Sequence, residues 1–253
     1  MVKKILSIVL WVVTAAALVV LFIFARESYL DKPLQEVRIM AESDSGFVRR
    51  SVLHDEIAKE CAKAKVGTVN MVRLQRHLDN NPWVESNASY IDLKGNLNVR
   101  YKEYVPMLRV FSNDGRSVYV TESGYVLPPS DTYTPYVLIA SGNFTVKDTL
   151  GYTLSDTLDK DRNLLNALHW CKAIGKNRFA SNSVGQLYCN GKNGFELSVK
   201  GLDMRVVVGD TTLAADKLAR LEVFMKRKVN SPEIKNMKSI NLNYKNQIVC
   251  TKR

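Results

Sequence analysis

The sequence predicts an α+β protein on a membrane anchor: an N-terminal transmembrane helix, a small β-α-α-β-β domain, and a β-rich domain with helices. Three observations carry this expectation. Residues 5–24 (ILSIVLWVVTAAALVVLFIF) hold no charge and match the ~20 apolar residues needed to cross a ~30 Å hydrocarbon core. At Asn81-Pro82 the apolar period changes from helical to two, ahead of a hairpin. Beyond residue 105, short alternating segments bounded by turn residues dominate, interrupted by two helical patterns.

The chain has 253 residues, 46% of them hydrophobic, enough to bury one or two cores after the anchor is subtracted. Its formal charge of +11 points to acidic partners, nucleic acid or an anionic membrane face. Placement decides among these. Lys3 and Lys4 precede the apolar run, and Arg26 and Lys32 follow it. A cleaved signal peptide is the rival reading, since Ala15, Ala16 and Ala17 imitate a small-residue cleavage site. However, Leu18 to Phe24 stay as apolar as the residues before that site, so an uncleaved anchor is expected. Residues 1–4 then form a short cytoplasmic tail, and residues 26–253 lie outside the cytoplasm. Nucleic acid is not an expected partner there.

After a linker carrying Arg26, Asp31 and Pro33, residues 34–40 read as a strand with Val37 and Ile39 on one face. Ser51 is the expected N-cap of a helix in which Leu53, Ile57, Cys61 and Ala64 recur on one side, with Gly67 closing it. A second helix opens at Asn70, buries Met71, Leu74 and Leu78, and stops at Asn81-Pro82, because proline cannot continue it. The hairpin follows. Val84, Ala88 and Tyr90 are expected on one face of its first arm, and Leu97, Val99 and Tyr101 on one face of its second, with Lys94, Gly95 and Asn96 turning between them.

Further strands are expected at residues 108–111, 118–121, 124–127 and 136–140, the first two joined by an Asn113-Asp114-Gly115 turn. From residue 155 a helix carries Leu158, Leu165 and Leu168 and ends near Gly175. Strands return at residues 185–189, 195–199 and 204–208. A helix over residues 212–228 buries Leu218, Leu221 and Met225, and residues 240–244 and 247–252 form a final strand pair.

The run LDNNPWVESNASYIDLKGNLNVRYKEYVP, with Leu78, Pro82-Trp83-Val84, Ala88, Glu103 and Pro106, closely resembles a POTRA domain. One such unit directly behind a single anchor is similar to the bacterial cell-division family FtsQ, also called DivIB. The rest of the chain extends the resemblance. It has a Gly-Tyr-Val-Leu segment (124–127), an apolar strand ending at Gly209, a Lys-Leu-x-x-Leu helix (Lys217, Leu218, Leu221) and a closing INLNYKNQIV. Asn241 and Asn243 stand where the family commonly has Asp and Arg, which removes two charges and leaves Tyr244.

The resemblance implies a POTRA domain over residues 34–105 and an FtsQ-type β-domain over 106–253. It further implies a non-catalytic scaffold in the inner membrane at the division septum, whose closing strands dock FtsB/FtsL-like bitopic proteins by strand addition. Carried over residue by residue, the docking positions are Tyr244, Asn246, Gln247, Ile248 and Val249. Independently of any family, residues 214–253 hold ten Lys or Arg against three Asp or Glu, as an acidic partner would favour. A final edge strand would offer unpaired backbone groups. Its lysines could equally serve only to keep that edge from aggregating.

An enzyme has little to stand on. His54, His77 and His169 lie in helical patterns and read as ordinary surface histidines, and no nucleophile elbow, phosphate loop or HExxH motif occurs. The GKNG stretch at 191–194 reads as a hairpin turn rather than a phosphate cradle. Cys61, Cys171, Cys189 and Cys250 are far apart, with no metal-ligand spacing; buried free thiols are the ordinary reading, and a Cys189–Cys250 disulfide is the conceivable alternative. No catalytic, metal or cofactor site and no small-molecule substrate is expected. The alternatives are a POTRA-type adaptor in protein export or outer-membrane assembly and, in a different class, an envelope enzyme using His169 or a thiol.

Overall fold

The computed structural model describes residues 2–43, 45–147, 151–155, 161–191, 194–228 and 231–253, and the chain divides into two units, Met1–Glu103 and Tyr104–Arg253.

The first unit begins with α1 (Val2–Leu30), one helix long and apolar enough to cross a membrane, with its apolar side chains uncovered by protein. A single-pass anchor and a signal sequence share these features. The helix continues six residues past the apolar run, where a linker was expected, because no breaker precedes Pro33 and its last turn has something to pack on. Leu30 lies against Gly67, where an added Cβ would come within 3.0 Å of the Leu30 side chain. Tyr29 Oη donates to Asp92 O at 3.0 Å, Leu34 N donates to Ala64 O, and Val66 N donates to Lys32 O. Those last two bonds also explain why α2 (Arg50–Cys61) stops before Ala64 and Gly67: the chain leaves the helix to pair with residues 32–34. The N-cap position of α2 is Arg49, so Ser51 falls inside the first turn. In α3 (Met71–Asp79) the expected cap is in place, Asn70 Oδ1 accepting from Arg73 N at 3.0 Å.

Strands β1 (Val37–Ala41), β2 (Val84–Ile91) and β3 (Leu97–Glu103) form a sheet of order β1-β3-β2, with β1 parallel and β2 antiparallel to β3. Leu97, Val99 and Tyr101 face the core shared with Leu53, Ile57, Leu74 and Leu78. The first arm differs from the simple alternation. A bulge at Glu85 places Val84 and Ser86 opposite Glu103 and Lys102, so Asn87, Ser89 and Ile91 lie on the core side, while Ala88 and Tyr90 are exposed. Trp83 stacks on Phe47 at 3.9 Å, and buried Glu103 accepts from Phe47 N and Val48 N at 3.2 and 3.4 Å. The Pro-Trp-Val and Glu103 positions thus fasten the loop that leads into α2.

The second unit is one ten-stranded sheet of order β13-β12-β11-β10-β9-β7-β4-β5-β6-β8. Its strands are β4 (Pro106–Ser112), β5 (Ser117–Thr121), β6 (Tyr125–Leu127), β7 (Leu138–Gly142), β8 (Tyr152–Thr153), β9 (Val184–Cys189), β10 (Phe195–Val199), β11 (Arg205–Gly209), β12 (Met237–Asn241) and β13 (Val249–Lys252). The β4–β7, β7–β9 and β11–β12 pairs are parallel, and the remainder are antiparallel. Parallel neighbours need crossovers. Helices α4 (Arg162–Lys176) and α5 (Arg178–Ser183) supply the one from β7 to β9, and α6 (Ala214–Lys228) the one from β11 to β12. Leu164, Leu168, Trp170 and Ile174 of α4 and Leu218, Leu221 and Met225 of α6 share one core with Leu108, Val110, Leu187, Phe195, Leu197, Val206 and Ile240 of the sheet. Leu165 is only half-buried, because the inward stripe of α4 runs through Leu164, Ala167, Leu168 and Cys171; Leu158 lies outside the described residues.

Candidate partner-docking edge

The C-terminal edge is built by α6 and the two strands after it. Lys217, almost fully buried, reaches back from α6 to the end of β11. Its Nζ donates to Val208 O (2.8 Å), Asp210 O (2.9 Å) and Asp210 Oδ1 (3.0 Å) and lies 5.8 Å from the Trp170 ring centroid. That ammonium holds the Asp210 carboxyl below its usual range. From there the chain crosses over through α6, enters β12 beside β11, turns, and returns antiparallel as β13, whose outer side pairs with no strand among the described residues.

The two closing strands are shorter than expected: β12 ends at Asn241 and β13 begins at Val249. Residues 242–248 form the connection instead. Leu242 N bonds Val207 O, Asn243 N donates to Asn241 Oδ1 at 2.9 Å, and Asn246 takes φ 59°. The first of these is the last bond of the β11–β12 ladder; beyond Leu242 the Asn243–Asn241 turn and the left-handed Asn246 bend the backbone away from it. Arg220 of α6 clamps this connection: its Nη1 donates to Tyr244 O (2.7 Å) and Gln247 O (2.8 Å), its Nη2 donates to Leu242 O (3.0 Å), and its Nε donates to Asp216 Oδ2 (2.8 Å). A planar guanidinium can serve three carbonyls and a carboxylate at once; an ammonium lacks that fork.

Of the five positions expected to dock a partner, Tyr244, Asn246 and Gln247 are exposed in the connection, Ile248 is half-buried against the core, and Val249 opens β13. The structure brings them together on one rim, with only Val249 in a strand. Asn246, Gln247 and Ile248 form one wall of a groove of about 460 Å³, and α6 forms the other with Arg220, Val223, Phe224 and Arg227. Sequence reasoning did not single out Arg220, Val223 or Phe224. Val223 and Phe224 fall off the buried stripe of α6, a visible signal, whereas the targets of Arg220 are main-chain oxygens and leave no trace in sequence. Several nearby cations are already paired: Arg220 with Asp216, Lys226 with Glu222, Lys228 with Glu233, and Arg253 with Asp203. Arg227, Lys238 and Lys245 have no acidic partner among the described residues.

The other candidates stay apart. His54 lies 3.2 Å from Asp55 and His77 lies 3.1 Å from Glu56, both at the surface, and His169 is exposed on α4. The described residues hold no group of three His, Cys, Asp or Glu placed to bind a metal. The four cysteines are free. Cys189 on β9 and Cys250 on β13 are four strands apart, roughly 19 Å at the usual strand spacing, far beyond the reach of a disulfide. Burial raises all four thiols, Cys171 to about 11. Gly191 and Gly194 join the antiparallel strands β9 and β10; Lys192 and Asn193 lie outside the described residues.

Residues 105–251, from the start of β4 through most of β13, match the family described as FtsQ/DivIB, C-terminal related. The chain belongs to that family. No curated protein matches it. Membership relates the FtsQ/DivIB-type domain to bacterial cell-division proteins, a family typically without catalysis. The matched region contains both walls of the groove and all five rim positions.

Proposed function

We propose that this protein is a non-catalytic, membrane-anchored scaffold of the bacterial division machinery, which recruits or bridges septal proteins by strand addition at β13. In this reading residues 5–24 hold it in the inner membrane, residues 1–4 are cytoplasmic, and a POTRA domain (34–105) and the β-domain (106–253) stand outside the cytoplasm at the septum. The observation that carries the proposal is the outer side of β13, unpaired among the described residues, beside an apolar, cation-rimmed groove within an FtsQ/DivIB-related domain. Main-chain bonds to an edge strand supply affinity, and the groove receives a side chain of the added segment to supply specificity. The free cations favour an acidic segment, as small FtsB/FtsL-like bitopic partners would bring. Confinement to the membrane raises the local concentration of such partners.

The test is in-cell crosslinking followed by purification of the full-length protein, with Tyr244→Lys and Arg220→Ala in parallel. The parent should recover small single-pass division proteins. Both variants should lose most of that recovery, because one alters the rim and the other frees the connection behind it. Equal recovery by all three keeps the scaffold and moves the site. Recovery of export or outer-membrane assembly components instead of division proteins would replace the division role with that of an adaptor.

A further inference from the structure

The hairpin turn between β2 and β3 carries Leu93, which is 84% exposed, followed by exposed Lys94. A large apolar side chain at a turn tip is common enough; its position along α1 is what gives this one meaning. Asp92, the residue before it, accepts the Tyr29 hydroxyl at 3.0 Å, and Ile91 O lies 3.5 Å from the same oxygen. Gly95, two residues after Leu93, sits against Pro33, Gln35 and Val66. The turn therefore lies beside the final turn of α1, in the same unit as the anchor.

Its depth follows from helix geometry. Tyr29 is five residues past the end of the apolar run, an axial distance of about 7.5 Å, and helical side chains lean back towards the N-terminus, which brings its hydroxyl nearer the hydrocarbon. The headgroup layer on each side of the core is roughly 5–8 Å thick. A helix tilt of about 20° shifts a group some 10 Å off the axis by only ~3 Å along the membrane normal. Leu93 thus falls at the level of the lipid headgroups. The same end of the unit carries Arg26, Lys32, Lys63, Lys65 and Lys94. Four carboxylates lie there too: Asp31 pairs with Lys65, Glu36 pairs with Arg38, Asp92 accepts Asn96 N, Asn96 Nδ2 and Lys94 N, which hold it down at about 2, and Glu27 is the fourth.

We propose that this turn is a second membrane contact, with Leu93 set into the headgroup layer and the surrounding lysines on lipid phosphates, so that the first unit stands on the membrane in one orientation. An interfacial apolar residue ringed by cations is the combination that anionic lipid surfaces hold. The inference rests on reading α1 as a retained anchor, and its test separates the two.

The full-length chain, with Cys250→Ser, is spin-labelled singly at Leu93→Cys, Ser86→Cys or Val13→Cys and placed in vesicles of phosphatidylcholine and phosphatidylglycerol. The remaining thiols are buried and raised in pKa, so the new cysteine labels first. Ser86 lies near the far end of the same strand, some 16 Å from Ile91 at the usual rise. Relaxation by oxygen, which concentrates in lipid, is compared with relaxation by a water-soluble nickel chelate. Position 13 should favour oxygen, position 86 nickel, and position 93 should lie between, with nickel access several-fold below that at 86. A label at 93 as open to nickel as at 86, or shielded from both reagents, overturns the contact while position 13 still certifies the anchor. Nickel access at position 13 overturns both.

Discussion

Lys217 shows how much a single residue can carry without announcing it. In sequence it is one member of a Lys-Leu-x-x-Leu pattern whose leucines read correctly as core, and nothing in that pattern marks the lysine as buried. In the fold its ammonium sits inside, donating to two carbonyls and to Asp210. A buried ammonium survives only where its donors are matched. Replacing Lys217 with Met keeps the volume but leaves Val208 O without its donor and frees the end of β11. The expected loss is about 2–3 kcal/mol, from hydrogen bonds to a charged group and the unsatisfied carbonyl they leave behind. Urea titration of the reconstituted variant measures it, and an unchanged midpoint would show that water replaces the ammonium. Arg220 is similarly silent in sequence: its i,i+4 pairing with Asp216 is readable, but its grip on three carbonyls of the β12–β13 connection depends on a tertiary approach that no local pattern encodes.

Among the elements, the sequence announced those with strong punctuation and misplaced those that tertiary bonds reshape. Asn70 and Asn81-Pro82 bound α3 as expected, because a cap and a proline act locally. The end of α2 is not legible in sequence, since the strand-like bonds of residues 64–66 to residues 32–34 outcompete helix propagation. The first arm of the hairpin departs from its pattern for a different reason: a bulge demands no particular residue, so Glu85 gives no sign that the alternation resets there. This yields a counter-intuitive expectation for deletions. Removing Glu85 leaves Val84 and Ser86 opposite their present partners in a regular ladder. The cost should be about 1 kcal/mol or less, the worth of its surface pair with Lys102. Removing Ala88, three residues on, reverses the faces on one side of the cut and should unfold the unit. Circular dichroism and protease resistance of the two deletions distinguish them, and equal damage would mean the bulge itself is required. The closing strands were legible as a pair but not in length, because Asn246 and the Arg220 clamp take residues 243–248 out of the ladder.

At the level of the whole molecule, the proposed scaffold would bind through two separable contributions, the formal charge of +11 and the edge at β13, and salt can tell them apart. Net positive charge acts over distance and steers encounter, so it governs the association rate. Strand addition and an occupied apolar groove act only after contact, so they govern dissociation. Raising ionic strength from about 0.1 M to 1 M shortens the screening length from ~10 Å to ~3 Å. For the partner segment recovered by crosslinking, association with the reconstituted full-length chain should then slow by on the order of ten-fold or more. Its dissociation rate should change little, since main-chain bonds and buried apolar area are nearly indifferent to salt. Surface-binding kinetics at the two salt concentrations read both rates directly. A steady association rate with markedly faster dissociation would mean that Arg227, Lys238 and Lys245 hold the partner by exposed ion pairs. The edge of β13 would then be a protected strand end and the docking site would lie on the cationic rim.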